Sequence, residues 1–409
     1  MSGRRGEGGR QAAGHPSASG SGPSAGTAQS VRNANLSAVL TLLFRGGPQS
    51  RAALARATGR NRSTIASLVG DLVAMGLASE DEAAPDGQVG RPSPVVSVSG
   101  EVAAIAVNPE IDELRVALVG LDGSVLRLLR RRYDTIPTAG EVLDATTVAV
   151  AALRGEGPAC VGIGCAVPGQ VRSADGVVRN APHLRWIDEP FGQPLAEATG
   201  LPVRVANDAS LGAIAEQCFG AGRGASNVLY LNGGASGIGG GAVVAGRPLA
   251  GAHGYAGEFG HIRVSSAEAG DSAGIAGTLE AMVTRAELLA VLGLAPADAD
   301  RLHEALLADR TPAVRAVVER QLGHLATGLA AAVNVLNPQV VALGGFLASL
   351  LAYDPDGLRQ AVAGSSLRPS DEDVEITASE LGWRLLLIGA AMTAFEPLLA
   401  NPAPVGRDG

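Results

Sequence analysis

The residues best suited to chemistry are an amide and a carboxylate in the middle of the chain. Asn207-Asp208, in LPVRVANDASLGAIAE, stands at the end of an apolar run and directly before a helical pattern. A carboxylate in that place can accept hydrogen bonds from sugar hydroxyls or take a hydroxyl proton as a general base. The alternative is that these residues only cap the helix, a position that Asn and Asp both favour. The segment alone leaves both interpretations open.

Further polar residues follow in a glycine-rich stretch. GAHGYAGEFGHIRV carries Glu258 and His261, and Glu280 comes next in GTLEAMV. Two carboxylates and an imidazole supply the acceptors and donors that a ligand with several hydroxyl groups needs. As ordinary loop residues they would instead satisfy neighbouring backbone groups.

The elements that must position these side chains read as alternating strands and helices. Apolar strand-like runs are 102–107, 115–118, 161–166, 203–206, 228–231, 241–244 and 340–343, and helical patterns cover 140–154, 208–219, 279–293, 311–336 and 383–399. Two strand-rich stretches, each followed by helices, predict an α/β body of two lobes with a cleft between them.

The N-terminal part predicts a separate helical module. A leucine- and valine-rich helix ends at Gly46, Ser50 can cap a short helix over 51–57, and Asn61 can cap a longer one over 62–75. The turn between them contains Gly59, and strands at 77–80 and 95–98 flank a polar loop. Together these signals predict a helix-turn-helix followed by a wing.

Polar residues around the predicted turn are suited to nucleic acid. Residues 1–70 contain nine arginines and a single acid, Glu7, and a basic head on an acidic body is typical of nucleic-acid-binding proteins. The side chains expected to contact DNA are Arg51, Arg60, Asn61, Arg62, Ser63, Thr64 and Ser67, with Arg91 in the wing. The alternative is a helical module for protein interaction. Residues 1–30, rich in Gly, Ser and Ala, are expected to form a disordered basic tail.

Composition excludes several function classes. All 32 basic residues among the 409 are arginine, so a Walker P-loop and Schiff-base chemistry, which both need lysine, are excluded. Three cysteines with no metal-type spacing indicate buried thiols rather than disulfides. The N-terminus lacks an apolar signal region and no run is long enough for a membrane span. A soluble cytoplasmic protein with no membrane partner is expected.

The head strongly resembles that of the ROK family (repressors, open reading frames and kinases). The residues that carry the resemblance are Asn35-Leu36, the segment SRAALARATGRNRSTIASLVGDLVAMGL and the closing GRPS. The resemblance extends from about Val31 to Ala400. It implies an actin-like sugar-kinase fold behind a winged helix-turn-helix at 31–98. The first lobe would be 101–206 with 383–400, and the second lobe 207–382.

The resemblance also implies roles for the polar residues. Asn207, Asp208, Glu258, His261 and Glu280 fall on the family's sugar-contacting positions, and Asp208 on its general-base position. The family's structural zinc site is not matched, because Asp271, Ala273 and Thr278 stand where three cysteines belong. We therefore expect no zinc, and a loop that is held by packing or is more mobile.

The nucleotide side departs further from the family pattern. Asn108-Pro109-Glu110 replaces the D-x-G-x-T turn that handles magnesium and phosphate: Pro109 has no N–H, and Glu110 repels phosphate. The stretch 233–241, GGASGIGGG, is read as either a phosphate loop or a tight hairpin that closes the sugar pocket. ATP binding is not expected.

Two functions follow as hypotheses. The first is a non-catalytic, sugar-responsive regulator, most simply a repressor of carbohydrate metabolism genes, acting as a homodimer or homotetramer on operator DNA. The second is a sugar kinase that phosphorylates a hexose with ATP and carries an accessory DNA-binding head. Neither the sugar nor the operator sequence can be predicted.

Overall fold

The computed structural model describes residues 25–81, 94–155, 157–172, 174–234, 237–368 and 373–403. A helical head comes first and a body with two five-stranded sheets follows. The head contains α1 (Ala25–Gly46), β1 (Gln49–Ser50), α2 (Arg51–Thr58), α3 (Arg62–Ala74), β2 (Ala78–Asp81) and β3 (Val95–Val98). Its three short strands form a sheet in the order β1-β3-β2.

Local sequence signals account for the helices of the head. Ser50 accepts a hydrogen bond from the Ala53 N–H at 3.2 Å, and Asn61 accepts one from the Thr64 N–H at 2.8 Å. Gly59 lies in the left-handed region, with φ of 65°, where a side chain would be strained. The antiparallel pair β2–β3 supplies the two strands of the predicted wing. The predicted helix-turn-helix and wing strands are therefore confirmed.

The boundary of the predicted tail was wrong. Helix α1 begins at Ala25, so residues 25–30, which composition assigned to the disordered tail, are helical. Adding residues to a helix whose later turns are already packed costs little, because the nucleation step has been completed. Residues 1–24 and the wing loop 82–93, which includes Arg91, lie outside the described residues.

The first lobe is built on a mixed sheet with the strand order β11-β7-β4-β5-β6. Its elements are β4 (Val102–Pro109), β5 (Glu113–Gly120), β6 (Val125–Arg132), α4 (Ala139–Leu153), β7 (Ala159–Val167), β8 (Gln170–Val171), β9 (Val178–Ala181), β10 (Trp186–Glu189), α5 (Gly192–Thr199) and β11 (Val203–Asn207). Strands β4, β7 and β11 run parallel, so their carboxyl ends meet at one edge. Strands β8 to β10 form a separate small sheet.

The second lobe has the strand order β14-β13-β12-β15-β16. Its strands are β12 (Val228–Gly233), β13 (Ile238–Val244), β14 (Arg247–Pro248), β15 (Val340–Gly345) and β16 (Glu375–Ala378), and its helices are α7 (Leu279–Met282), α8 (Arg285–Val291), α9 (Leu302–Ala308), α10 (Pro312–Leu336), α11 (Phe346–Tyr353) and α12 (Pro355–Ser365). Single 3₁₀ turns occur at Phe259–His261, Pro296–Arg301 and Gly382–Arg384.

Two helices carry the chain between the lobes. Helix α6 (Asp208–Phe219) leads from β11 to the second lobe, and α13 (Leu385–Ala400) returns to pack on β4 and β7 of the first. One apolar core contains side chains of the head together with side chains of α6 and α13. Gly382–Ala400 is long and apolar enough to span a membrane, but most of it is buried inside the protein, as expected for a core helix.

Every strand predicted in the body lies within an observed one, but the prediction was incomplete. Strand β6 was missed because its sequence, VLRLLRRR, is arginine-rich and lies at an exposed edge. The helix predicted over 279–293 is two helices, because Val283 and Thr284 take extended backbone conformations. Both are β-branched residues, which fit an extended backbone well.

Candidate functional site

The cleft between the lobes contains a cavity of about 180 Å³. All five residues that the sequence assigned to sugar contact line it: Asn207, Asp208, Glu258, His261 and Glu280. The sequence spreads them over more than seventy residues. The carboxyl end of β11, the β12–β13 hairpin and the loop after β14 bring them together. The volume is below the roughly 300–1,000 Å³ of pockets for drug-sized ligands, which suits a ligand as small as one sugar ring.

Asn207 and Asp208 divide the two roles that the sequence left open. The Asn207 side chain is the N-cap of α6: its Oδ1 accepts a hydrogen bond from the Ser210 N–H at 2.9 Å, while its Nδ2 donates to the Gly169 carbonyl at 3.0 Å. Asp208 is the first residue of the helix, and its Oδ1 accepts from the Ala209 N–H at 2.7 Å. Because Asn207 serves as the cap, the Asp208 carboxylate can face the cavity.

The environment of Asp208 makes it a weak acid. Burial raises its pKa to about 7, and the negative charges of Glu110 and Glu258 act in the same direction. A carboxyl group with a pKa near neutrality is suited to exchanging a proton with a hydroxyl group, or to accepting a hydrogen bond once it is ionised. Asp208 is therefore the residue in the cleft whose chemistry is most strongly set by its surroundings.

Glu258 and His261 lie on the second-lobe side of the cavity. Glu258 is the exposed member of the pair, and the first-lobe residue Gln170 donates to its Oε1 at 3.4 Å across the cleft. The His261 Nε2 is 3.9 Å from the other Glu258 oxygen. Gln170 was not identified from the sequence, because one glutamine in a short strand carries no pattern.

Glu280 differs from its neighbours because both carboxylate oxygens already have protein partners. One oxygen accepts a hydrogen bond from the Ile238 N–H and the other from the Ser272 N–H, each at 2.9 Å. Glu280 therefore fastens the β12–β13 hairpin to the loop around residue 272. It lines the cavity, but its charge is already used in holding the wall.

Asp271 anchors the loop in which the family's cysteines are missing. Its Oδ2 accepts hydrogen bonds from His261 Nδ1 at 2.7 Å and Thr278 Oγ1 at 2.9 Å, and its Oδ1 accepts from the N–H groups of Ala273 and Ile275. A buried carboxylate with four hydrogen-bond donors therefore holds this loop, which the sequence analysis expected to be held by packing or to be more mobile.

The charges of Asp271 and His261 support each other. Burial alone would raise the Asp271 pKa, but its four hydrogen bonds lower it to about 2. Burial likewise acts to lower the His261 pKa, but the hydrogen bond to Asp271 together with the negative charges of Asp271, Glu280 and Glu258 outweighs it, so that the pKa is raised. The pair therefore favours an imidazolium–carboxylate interaction.

The donor set does not fit a structural zinc ion. His261, Asp271 and Glu280 offer ligand atoms within 4.8 Å of one another. However, the oxygens of Asp271 and Glu280 already accept hydrogen bonds from N–H and O–H donors, which a cation would have to displace. Thiolates, which dominate structural zinc sites, do not occur in this group.

The segment that stands in place of the family's phosphate-binding turn forms a tight turn. Asn108 is buried, and its Nδ2 donates to the Ala166 carbonyl at 3.2 Å and to Glu110 Oε1 at 3.4 Å. The Glu110 N–H donates to the Glu113 carbonyl at 2.8 Å, which closes the turn between β4 and β5. Burial raises the pKa of Glu110. The backbone N–H groups that would cradle an anion are thus replaced by proline and a carboxylate.

The glycine-rich stretch 233–241 joins two antiparallel strands. Gly233 pairs with Ile238, and the Gly234 N–H donates to the Gly237 carbonyl at 2.8 Å. Gly234, Gly237 and Gly239 line the cavity. The stretch is therefore a tight hairpin beside the cavity, and its residues 235 and 236 lie outside the described part of the chain.

The head presents most of the predicted DNA-contacting side chains to solvent. Arg60, Asn61, Arg62, Ser63 and Ser67 are exposed and Thr64 is half-buried, all at the start of α3 or in the turn before it. Arg51 differs, because its guanidinium is 2.5 Å from Glu80 of the wing strand β2. Arg51 therefore holds the wing against α2 in the described structure. The other described residues of the set all lie between positions 60 and 67, in the turn before α3 and in its first turns.

The fold and cleft define a class of protein: a two-lobed α/β body of the sugar-kinase type behind a DNA-binding head. The sequence profile of the ROK family matches residues 105–396, and the chain belongs to this family. The body accordingly has the actin-like ATPase fold.

Relatives with and without a head resemble the chain. The xylose repressor of Caldicellulosiruptor bescii is 24% identical over 383 residues, covering 86% of this chain and 93% of its own length. The glucokinase of Streptomyces coelicolor is 31% identical over 309 residues, covering 70% of this chain and 95% of its own. A solved ROK family transcriptional regulator, a homologue of the E. coli MLC protein, aligns with a TM-score of 0.72 at 24% identity, covering 90% and 97% of the two chains.

Proposed function

We propose that this protein is a sugar-responsive transcriptional repressor. The observation that carries the proposal is the presence, in one chain, of an exposed recognition surface on α3 and a polar cavity whose phosphate-side turn is closed. The similarity to xylose repressors over both head and body supports it. Operator DNA and a sugar effector are its partners, and it acts in the cytoplasm, where operator DNA is reached.

The cavity residues have separate parts in binding the effector. Asp208, when ionised, accepts hydrogen bonds from sugar hydroxyls, and Glu258 with His261 provides an acceptor and a donor opposite it. Asn207 and Glu280 position these groups. The head binds its site through Arg60, Arg62, Ser63 and Ser67, with Asn61 holding the start of the recognition helix. Arg91 is assigned to the wing contact from the sequence alone.

Kinase activity is the second candidate function. The similarity to glucokinases favours it, as does a cavity of about 520 Å³ beside the β12–β13 hairpin. Against it, phosphoryl transfer needs magnesium placement and neutralisation of the phosphate charge. Asn108, Pro109 and Glu110 supply neither. We propose that the body has lost catalysis and binds neither ATP nor zinc. Elemental analysis should find well under one zinc per chain.

A helix-turn-helix head favours an even number of subunits and a palindromic site. We propose a homodimer or homotetramer, in which a sugar that closes the lobes changes the spacing of the two heads. Such control requires unequal sugar binding to the free and DNA-bound states, typically by about 1–3 kcal/mol.

The decisive experiment combines three measurements on the purified chain. D-xylose and D-glucose are screened by thermal shift, since only a ligand that prefers the native state raises the melting temperature. A DNA duplex selected from a random pool is then titrated with and without the sugar. Arg62→Ala should weaken this binding by roughly 1–3 kcal/mol if Arg62 contacts a base, while Arg315→Ala on the body should not. Hexose phosphorylation at ordinary enzyme rates in a coupled ATP assay would establish the kinase instead.

A further inference from the structure

The first helix of the head lies across the two helices that join the lobes. Helix α1 contacts both α6 and α13, and its apolar side chains share one core with them. Phe44, near the end of α1, is almost completely buried. Its ring meets Phe219 at a centroid distance of 5.4 Å, edge-on, and Phe395 at 6.1 Å. Phe219 is the last residue of α6 and Phe395 belongs to α13.

Phe219 is fastened to the second lobe. One turn before it, the fully buried Glu216 accepts hydrogen bonds from Ser379 Oγ at 2.5 Å and from the Leu381 N–H at 3.2 Å, both just after β16. The start of α6 is equally close to that lobe, because a side chain on Gly241 of β13 would lie 2.6 Å from the Ala209 carbonyl oxygen. Helix α6 therefore packs on second-lobe elements near both ends, and between them it packs on α13, where a side chain on Gly389 would lie 2.6 Å from the Leu211 carbonyl oxygen.

Phe395 is fastened to the first lobe. Helix α13 packs so closely on β7 that a side chain on Gly164 would lie 1.7 Å from the Ala390 carbonyl oxygen. Arg204 of β11 also pairs with Glu396, the residue after Phe395, at 3.6 Å. A change in the angle between the lobes therefore acts on the packing of α6 against α13, and the ends of the two helices that carry Phe219 and Phe395 are where Phe44 contacts it.

Polar contacts of α1 repeat this division between the lobes. Ser37 Oγ donates to the Leu399 carbonyl of α13 at 2.7 Å. Arg45 Nη1 donates to the Gly246 carbonyl, in the turn between β13 and β14 of the second lobe, at 2.6 Å. Asn33 Nδ2 also donates to Asn401 Oδ1, directly after α13, at 3.1 Å. Helix α1 thus has hydrogen bonds both to the end of the first-lobe helix and to the second lobe, with Phe44 between two aromatic rings.

Helix α6 also reaches the candidate sugar site. It begins at Asp208 and ends at Phe219, a length of about 18 Å for twelve residues at 1.5 Å each. Since packed interfaces switch between discrete arrangements rather than deform continuously, a rearrangement at Asp208 is carried by the helix as a unit. The other end of the helix, at Phe219, is where α1 of the head packs on the body.

We infer that Phe44 is a positioning residue that couples sugar binding to DNA binding. Its contacts with Phe219 and Phe395 change when the relative position of the two lobes changes, and the orientation of the head changes with them. The inference rests on the proposed function, since it needs both a sugar and an operator. It adds the route between them, which runs through the attachment of α1 at the two lobe-crossing helices.

The test measures coupling, not stability. Operator affinity is measured by fluorescence anisotropy with and without saturating D-xylose or D-glucose, and sugar affinity by calorimetry without DNA. In the wild type the sugar should change the operator dissociation constant by about 5–150-fold. In Phe44→Leu that change should fall below about twofold, with the sugar dissociation constant of the free protein within about twofold of wild type.

Phe191→Leu is the matched control. Phe191 is as buried as Phe44 and pairs with Trp186 at 5.4 Å, but it lies in the first lobe away from the head. It should keep the full coupling. If Phe44→Leu does not fold, the double variant Ser37→Ala/Arg45→Gln removes one polar contact of α1 with each lobe and keeps the aromatic cluster; its coupling should be clearly reduced.

The outcomes separate this inference from the proposed function. Full coupling in Phe44→Leu, or in the double variant where Phe44→Leu does not fold, would overturn the inference and leave the repressor function standing. Sugar that binds the wild type without changing its operator affinity, or no binding of either sugar, would contradict the proposed function and this inference with it.

Discussion

The two sides of the interlobe cleft differ in the ligands that their side chains and backbone groups can bind. On the sugar side, Asp208, Glu258 and His261 line a cavity, and Asp271 holds the adjoining loop through four hydrogen bonds. On the phosphate side, Asn108-Pro109-Glu110 closes a tight turn whose carboxylate is buried. Hydroxyl groups are bound by carboxylates, whereas phosphates need backbone N–H groups and cations. The sugar side therefore offers groups that suit hydroxyl binding, and the Asn108-Pro109-Glu110 turn offers fewer N–H donors to a phosphate, in line with the proposed loss of catalysis.

The loop that lacks the family's cysteines and the turn that lacks its D-x-G-x-T pattern are also held in different ways. The loop around Asp271 keeps its shape because one carboxylate satisfies an imidazole, a hydroxyl and two N–H groups. The turn at Asn108 is also held by hydrogen bonds. However, Pro109 and the Glu110 carboxylate stand where a phosphate would need N–H donors. Predictions can test each side separately.

The largest effect is expected at Asp271. Asp271→Ala leaves four donors without their acceptor, and hydrogen bonds to charged groups contribute about 1.5–3 kcal/mol each without being additive. We expect the free energy of unfolding to fall by roughly 3 kcal/mol, measured by urea denaturation. Asp175→Ala, which removes an exposed ion pair with Arg172, should cost less than about 1 kcal/mol. A wild-type midpoint that falls on adding a chelator would show that a metal holds the loop after all.

Asp208→Ala should have the next largest effect, on sugar affinity. A hydrogen bond to a charged group is worth about 1.5–3 kcal/mol, so the dissociation constant measured by calorimetry should rise by roughly one to two powers of ten. Operator affinity without sugar should be nearly unchanged. Asp354→Ala, which removes the N-cap of the distant helix α12, serves as the control. An intact sugar response in Asp208→Ala would contradict its assignment.

The third prediction concerns pH. Because the Asp208 pKa is raised to about 7, the carboxyl group is protonated below pH 7 and becomes an ionised acceptor above it. Sugar affinity should therefore increase by about tenfold between pH 6 and pH 8. His261, whose pKa is also raised, faces the same cavity, so Asp208→Asn is the necessary control: only the part that disappears in this variant belongs to Asp208. A flat profile in the wild type would contradict the environment described for Asp208.

The smallest effect is expected at Glu110. Its charge contributes to the raised Asp208 pKa, so Glu110→Gln should make Asp208 more acidic and strengthen sugar binding about two- to threefold at pH 6.5. The difference should vanish at pH 8.5, where Asp208 is ionised in both proteins. Asp112→Asn, in the exposed part of the same turn, should change little. Phosphoryl transfer gained by Glu110→Gln alone would show that the phosphate side had been only blocked, not lost.

Local sequence patterns determined much of the head and the strands of the body. Ser50, Gly59 and Asn61 each act on backbone groups within three or four residues, so their roles could be predicted without knowing the fold. The predicted strands were apolar runs that any buried sheet requires. Strand β6 was not predicted because an exposed edge strand does not need apolar residues on both faces.

The sequence by itself also placed five polar residues in one site, through resemblance to the ROK family, but only the tertiary structure decided what each one does. Asn207 caps the helix, which leaves the Asp208 carboxylate facing the cavity; Glu280 is committed to two N–H groups; Asp271 holds the loop that lacks the family's cysteines. The contact of Phe44 with Phe219 and Phe395 joins residues 175 and 351 positions apart. Such pairings depend on how lobes and head pack, and packing between distant segments leaves no periodicity in the chain from which it could be predicted.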